Sequence, residues 1–387
     1  MVVGAYYPEL AGGSLQCRTL VEALRDRVSF SILATTKERA LPPLAQVDGI
    51  PVYRVFVDLR KPSTKISGAM SMLGLAPSLV ARHDIFHFHG FTEKMLLLLA
   101  AAKLSGRRTI EKMTSLGWDD PIGLRARPLG GILAAAQVRA DRLVAVSPAM
   151  RARCLEAGVL PRRIADIPNG VDALRFSPAD DVGRAAARRQ LGLPATSTIV
   201  TFVGFWSVEK GAALLFDAWR AVRLRTGVDT MLVYVGSTAD DHAEVDAAAV
   251  ESVRETIARE HLGDHVRFVN ATTHVPAYLQ ASDIFALPSA REGLPNALLE
   301  AMATGLPSIA ARIDGVTDYI IEDGKNGWLV PPADPEALSQ ILSLLLEQPD
   351  LRRRVGGKAR ETIRARFTID AVAARYDVLY HELMSQS

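Results

Sequence analysis

Glu292 and Glu300 stand eight positions apart in a segment whose residue types suit a hydroxylated anion. Ala286-Leu287-Pro288-Ser289 reads as the end of a strand, and Arg291-Glu292-Gly293-Leu294-Pro295 as the loop after it. A helix is predicted from Asn296, a good N-cap type, through Thr304, stopped by Gly305 and Pro307. Glu292 then lies in the loop and Glu300 in the second helical turn, so the two carboxylates do not share a helix face. The N–H groups of Ala297 and Leu298, at the positive end of the helix dipole, suit a phosphate. Loop N–H groups after Glu292, freed by Gly293, suit hydroxyls, and Glu300 suits a diol such as a ribose. The spacing of the glutamates alone carries little; the strand–loop–helix setting gives it meaning, because ligands of open α/β sheets bind at the carboxyl ends of strands.

Other chemistry-bearing residues point less far. His87 and His89 alternate on a strand, but no third metal ligand accompanies them, and strand or cleft residues are the expectation. Asp119-Asp120 and Asp240-Asp241 resemble carboxylate pairs for a divalent cation but are read as loop charges. Gly4, Gly12 and Gly13 lack the G-x-G-x-x-G spacing of a dinucleotide fingerprint. No nucleic-acid module is visible, and Arg352–Arg354 reads as a solvated helix face.

The elements that must position these residues come from an alternation of short apolar runs and helical patterns, which predicts parallel sheets built from strand–helix–strand units. Strands are expected at Val2–Ala5, Phe30–Ala34, Asp84–His89, Thr109–Met113, Arg142–Val146 and Ile164–Ile167, with helices at Ser14–Arg25 and Glu93–Leu104. A second series runs through Thr198–Gly204, Thr230–Gly236, Val266–Asn270, Ile284–Pro288, Ser308–Ala311 and Trp328–Val330. The expected architecture is α/β: two Rossmann-like, doubly wound domains facing across a cleft. Their bounds are 1–172 for the first, 173–197 for a linker marked by turn signals, and 198–365 for the second. Residues 366–387 are expected as a C-terminal helix free to pack back on the first domain.

The 387 residues are 49% hydrophobic and 23% charged, which excludes a disordered chain and fits two domains. Cys17 and Cys154 are the only cysteines, too few for a disulfide framework. The apolar run Met95–Ala102 is far short of the ~20 residues that span a bilayer, and no secretory signal is visible. A soluble, cytoplasmic protein is expected. Residues 1–172 carry 23 Lys/Arg against 15 Asp/Glu, a net +8, whereas the remainder carries −6. The basic half suggests an anionic partner or peripheral membrane contact; the bland alternative is arginines on solvated faces with no such partner.

Glu292-Gly293-Leu294-Pro295-Asn296-Ala297-Leu298-Leu299-Glu300-Ala301 resembles the E-x7-E motif of family 4 retaining glycosyltransferases with the GT-B fold. The resemblance extends along nearly the whole chain. It includes Tyr6-Tyr7-Pro8 with Gly12-Gly13, Asp84–Gly90, Pro168-Asn169-Gly170-Val171-Asp172, Gly204 with Glu209-Lys210-Gly211, and Asp323-Gly324 with Asn326-Gly327. It implies an enzyme that moves a hexose from a nucleoside diphosphate sugar to a glycan, lipid-linked or small-molecule acceptor, with no cofactor and no bound metal. Lys210 would neutralise the donor diphosphate and Glu292 would contact the sugar, making these the catalytic pair. Gly293, Leu294, Pro295, Ala297, Leu298 and Glu300 would complete the donor site, with Gly204 and Asn270 at neighbouring strand ends. Gly12 and Gly13 would let backbone approach the phosphate. His89 and Lys112 are the acceptor-side candidates. The implied route is front-face attack, with the departing phosphate accepting the acceptor's proton.

Two residues depart from the family pattern. Phe205 stands directly after Gly204, where the family usually has arginine, and Glu111-Lys112-Met113-Thr114 stands where it often has histidine. They motivate a second expectation, a nucleotide-sugar-binding protein with impaired catalysis; a sugar-nucleotide epimerase on the same fold is a third.

Overall fold

β-Branched and aromatic runs such as Thr198-Ile-Val-Thr-Phe-Val203 form strands buried on both faces, the composition of parallel sheets covered by helices. The computed structural model describes residues 1–9, 12–58, 61–238 and 245–385; Asp240-Asp241 lie outside them. The chain divides into two units, Met1–Gly170 with Ile369–Ser387, and Val171–Thr368.

The first unit has an eight-stranded sheet. Its strands are β1 Val2–Val3, β2 Ile32–Thr36, β3 Leu44–Val47, β4 Ile50–Phe56, β5 Ile85–His89, β6 Arg108–Lys112, β7 Arg142–Ala145 and β8 Ile164–Asp166, in the order β3-β4-β2-β1-β5-β6-β7-β8. All pairs are parallel except β3 with β4, a hairpin whose turn residues Asp48 and Gly49 both take positive φ. An Asp-Gly pair between two short apolar runs is a hairpin signal, yet neither strand was among the sequence expectations. Helices α1 Gly12–Leu24, α2 Pro62–Arg82, α3 Leu96–Leu104, α4 Pro121–Arg125, α5 Gly130–Gln137 and α6 Pro148–Glu156 cover the sheet.

The second unit carries α7 Asp181–Leu191, β9 Thr198–Val203, α8 Ala212–Thr226, β10 Thr230–Val235, α9 Ala247–Arg259, β11 Val266–Val269, α10 Val275–Ala281 and β12 Ile284–Leu287. After it come α11 Asn296–Ala303, β13 Ser308–Ala311, β14 Trp328–Val330, α12 Pro335–Glu347 and α13 Pro349–Arg366. The wholly parallel order β11-β10-β9-β12-β13-β14 reverses direction between β9 and β12. That is the doubly wound arrangement, whose ligand crevice opens at the reversal.

Residues 173–197, expected as a linker, hold a packed helix instead. Arg188 of α7 is buried, donates to the Ala281 carbonyl at 2.9 Å and pairs with Asp283 at 2.7 Å. A buried guanidinium bonded in this way fixes the helix to its neighbours, so the segment is structural. The last helix, α14 Ile369–Ser385, belongs to the first unit, where Val372, Tyr376, Leu379 and Leu383 pack with Leu20 and Leu24 of α1.

Candidate active site

At the end of β9 the chain turns at Gly204, whose N–H donates to the Val235 carbonyl at 2.9 Å. Gly236, just past the end of β10, comes so close that a Cβ there would lie 1.9 Å from the Gly204 carbonyl oxygen. Phe205 is partly buried. Trp206 turns inward, its ring 4.3 Å from Tyr234 and 5.3 Å from Phe268. The Tyr234 hydroxyl in turn donates to the Ala212 carbonyl at 2.9 Å, at the start of α8. This aromatic anchor sets the path of the loop that carries Glu209, Lys210 and Gly211. Gly211 takes φ +69°, and a Cβ there would lie 2.5 Å from the Pro288 carbonyl oxygen at the end of β12. Only glycine lets the two strand-end loops touch in this way.

The contact brings charged residues together. Lys210 Nζ lies 2.7 Å from Glu292 Oε1, bridging positions 82 apart in the chain. Glu209 pairs with Arg291 beside it, and the Ala290 N–H donates to the Glu209 carbonyl at 2.7 Å. Glu292 is 8% exposed, so this carboxylate needs a partner, and Lys210 supplies it. Gly293, Leu294 and Pro295 are buried behind the loop.

The helix that follows starts at Asn296 as expected, but its cap is a different residue. Pro295, extended at φ −71° and ψ 113°, takes the N-cap position, and Asn296 is the first helical residue. A proline cap has no side-chain acceptor, so Pro295 gives no side-chain cap to the first turn at Ala297 and Leu298. Thr304 ends the helix with its N–H on the Glu300 carbonyl at 3.0 Å, before Gly305 at φ +80°. Glu300 keeps a partly exposed edge, yet burial lifts its carboxyl to about 8, with Arg175 opposing the shift. Asn270 is exposed just past the end of β11.

The remaining sequence candidates lie in the first unit. Gly12 and Gly13 open α1, and a Cβ at Gly13 would meet nothing within 4 Å. His89 and Lys112 end β5 and β6 as register partners and are 4% and 2% exposed. Neither ring nitrogen of His89 has a partner among the described residues. His87 stacks on it at 4.5 Å and meets the Tyr380 hydroxyl at 2.9 Å through Nδ1. Burial, reinforced by the Lys112 charge, holds both imidazoles well below the usual range. Burial also lowers Lys112 to about 8, and its ammonium sits 6.0 Å from the Tyr376 ring centre.

Asp119 and Asp120, read from the sequence as loop charges, are 2% and 0% exposed and do structural work. Asp119 accepts from the N–H groups of Thr114 and Ser115. Asp120 caps α4, accepting from Ile122 and Gly123, and takes a bond from Arg153 at 3.2 Å. An acidic residue just before a proline-initiated helix is an N-cap signal that identifies this role. Among the described residues no group of three His, Cys, Asp or Glu is placed to hold a metal, and no helix is long and apolar enough to cross a membrane. Glu209, Arg291 and Arg175 were not among the sequence candidates. Arg291 directly precedes Glu292, so adjacency was the signal for it; nothing local marked Arg175.

Residues 183–362 match the family model described as glycosyl transferases group 1, and residues 11–170 match the glycosyl transferase 4-like domain. The chain is 32% identical over 373 residues to D-inositol 3-phosphate glycosyltransferase of Kineococcus radiotolerans, covering 87% of this chain and 82% of that protein. It is 24% identical to N-acetyl-alpha-D-glucosaminyl L-malate synthase of Bacillus anthracis, over 78% of this chain and 75% of that one. The crystal structure of Anabaena HepE in complex with UDP and glucose superposes with a TM-score of 0.78 at 19% identity, covering 98% of each chain.

Proposed function

Because the chain belongs to the family 4 glycosyltransferases and has their GT-B fold, we propose that it is a retaining hexosyltransferase using a nucleoside diphosphate sugar. The observation that carries this reading is the Lys210–Glu292 pair at 2.7 Å, set where the β9 and β12 loops meet at the reversal of strand order. A crevice there is where a doubly wound sheet binds its ligand.

In this reading the donor diphosphate takes Lys210 from Glu292. The first turn at Ala297 and Leu298 gives N–H groups to the same phosphates, with the helix dipole favouring negative charge by roughly 0.3–1 kcal/mol. Glu292, released, accepts hydrogen bonds from sugar hydroxyls, and the N–H groups at Gly293 and Leu294 add donors. Glu300 holds the ribose diol, and backbone at Asn270 borders the base. As the glycosidic C–O bond breaks, negative charge grows on the leaving phosphate, and a preorganised cation beside it lowers the barrier. The departing phosphate oxygen takes the proton of the attacking hydroxyl on the same face, so the anomeric configuration is retained. Lys210 and the helix terminus supply the positive charge, and the reading requires no metal.

In this assignment His89 and Lys112 of the first unit serve the acceptor side. Inositol 3-phosphate and malate, in the names of the two relatives, are small hydroxylated molecules and support a small-molecule acceptor over a glycan or a lipid-linked one.

The test is a melting-temperature and turnover screen against UDP-, GDP- and ADP-sugars, with Lys210→Ala and Glu300→Ala beside the native chain. Stabilisation by one donor, lost in both variants and accompanied by donor hydrolysis or transfer, is the expected result. If both variants still bind and transfer, the site assignment is wrong. Donor binding without turnover for any acceptor would instead favour a nucleotide-sugar-binding protein, the alternative that Phe205 motivates.

A further inference from the structure

The two charge pairs at the strand-end loops form a ladder with opposite polarity on successive rungs. Glu209 and Lys210 are neighbours on one side, Arg291 and Glu292 on the other, and the pairs run Glu209–Arg291 and Lys210–Glu292. The Ala290 N–H to Glu209 carbonyl bond holds the rails together. The four charges sum to zero, so as it stands the ladder offers no net attraction to an anion.

A nucleotide-sugar diphosphate bears a negative charge on each phosphorus, one more than Lys210 alone neutralises. The rest of the β9 loop offers no further cation: its other residues are Gly204, Phe205, Trp206, Ser207, Val208, Glu209 and Gly211. On the β12 loop the cation is Arg291, whose side chain is 29% exposed and whose partner Glu209 is 57% exposed. An ion pair that exposed is weak and exchanges readily for a better anion, and a planar guanidinium binds phosphate through paired N–H groups. The inner rung is the more buried one and supplies the first cation; the outer rung is built to yield the second.

We propose that Arg291 is the second cation of the donor diphosphate site and that Glu209 holds it in reserve until a donor arrives. This rests on the reading that the donor diphosphate sits at Lys210. When the diphosphate engages, both cations turn to it. Glu292 is then free for the sugar, and Glu209 moves out to solvent. Arg291 thereby supplies a charge that the uncharged Phe205 of the β9 loop does not.

The experiment measures affinity by calorimetry for whichever of UDP-, GDP- or ADP-glucose most raises the native melting temperature. Arg291→Ala should weaken binding about tenfold or more, as loss of a charge-assisted contact does. Glu209→Gln, which removes the competing carboxylate of the outer rung, should strengthen binding about threefold. Phe205→Arg added to Arg291→Ala should recover most of the loss. Arg312, exposed at the end of β13, is the control cation, and Arg312→Ala should change affinity little. The inference is overturned if Arg291→Ala and Arg312→Ala have equal effects, or if Glu209→Gln weakens binding as Arg291→Ala does, which would make the rung structural. If Lys210→Ala also leaves affinity unchanged, the donor-site reading itself fails. If Lys210→Ala abolishes binding while Arg291→Ala is silent, only the role of Arg291 falls.

Discussion

Burial holds the Glu300 carboxyl at about 8, so at pH 7 roughly nine molecules in ten carry it protonated. A diol donates best to an ionised carboxylate, because charge-assisted hydrogen bonds are the stronger ones. Donor binding should therefore draw on the ionised minority, and the apparent dissociation constant scales inversely with that fraction. The fraction rises from about 1% at pH 6 to about 9% at pH 7 and about half at pH 8. Affinity should then improve about tenfold from pH 6 to 7 and about fivefold from 7 to 8, and level off above 9. The diphosphate of a nucleotide sugar does not titrate in this range, so the profile belongs to the protein. Calorimetry in two buffers of different ionisation enthalpy should show close to one proton released per donor bound near pH 6.5. Glu300→Gln should bind with a flat profile, close to the native chain at pH 6 and at least about tenfold weaker at pH 9. The sign for stability runs the other way. The folded carboxyl keeps a proton that the unfolded chain gives up above ~4.5, so native stability falls with rising pH up to about 8, by at most ~1.4 kcal/mol per unit. Melting temperatures of the glutamine variant relative to the native chain should rise across the same window. A native affinity that is constant from pH 6 to 8 with no proton release would refute the reasoning, as would a glutamine variant that keeps the native profile.

Other consequences follow from single contacts. Gly211→Ala forces a Cβ to 2.5 Å from the Pro288 oxygen at φ +69°, and should cost about 1–3 kcal/mol; an unchanged melting temperature would show that the loops part easily. Asp120→Ala removes a helix cap and one of the two carboxylates that pair with Arg153, the other being Glu156, so denaturant unfolding should show a loss of about 1–3 kcal/mol, with donor affinity intact. Lys112 is lowered to about 8 by burial, so folding expels its proton between about 8 and 10.4 and native stability rises with pH there. Lys112→Met should remove that rise, and its melting-temperature advantage over the native chain should be larger at pH 7 than at pH 10; equal differences at both would contradict a buried ammonium.

What the sequence determined is local. The apolar run at Thr198–Val203, the Gly305 stop and the position of Glu300 one turn beyond Leu294–Pro295 all follow from periodicity and capping, which are properties of neighbouring residues. The same logic would have found the β3–β4 hairpin at Asp48-Gly49 and the cap at Asp120. It gave Asn296 the cap position because the residue type fits, whereas the backbone places Pro295 there. Partnership was decided only by tertiary structure. Lys210 meets Glu292, and Glu209 meets Arg291, because β9 lies beside β12 in the sheet order. Strand order depends on how whole strand–helix units cross over, and no short window of sequence encodes it. Burial has the same origin: His89 and Lys112 read as polar strand-end residues, and the packing of α1 and α14 over that face takes them out of water. The side chains that could do chemistry were legible in the chain; their pairing and protonation became definite only where distant segments pack together and exclude solvent.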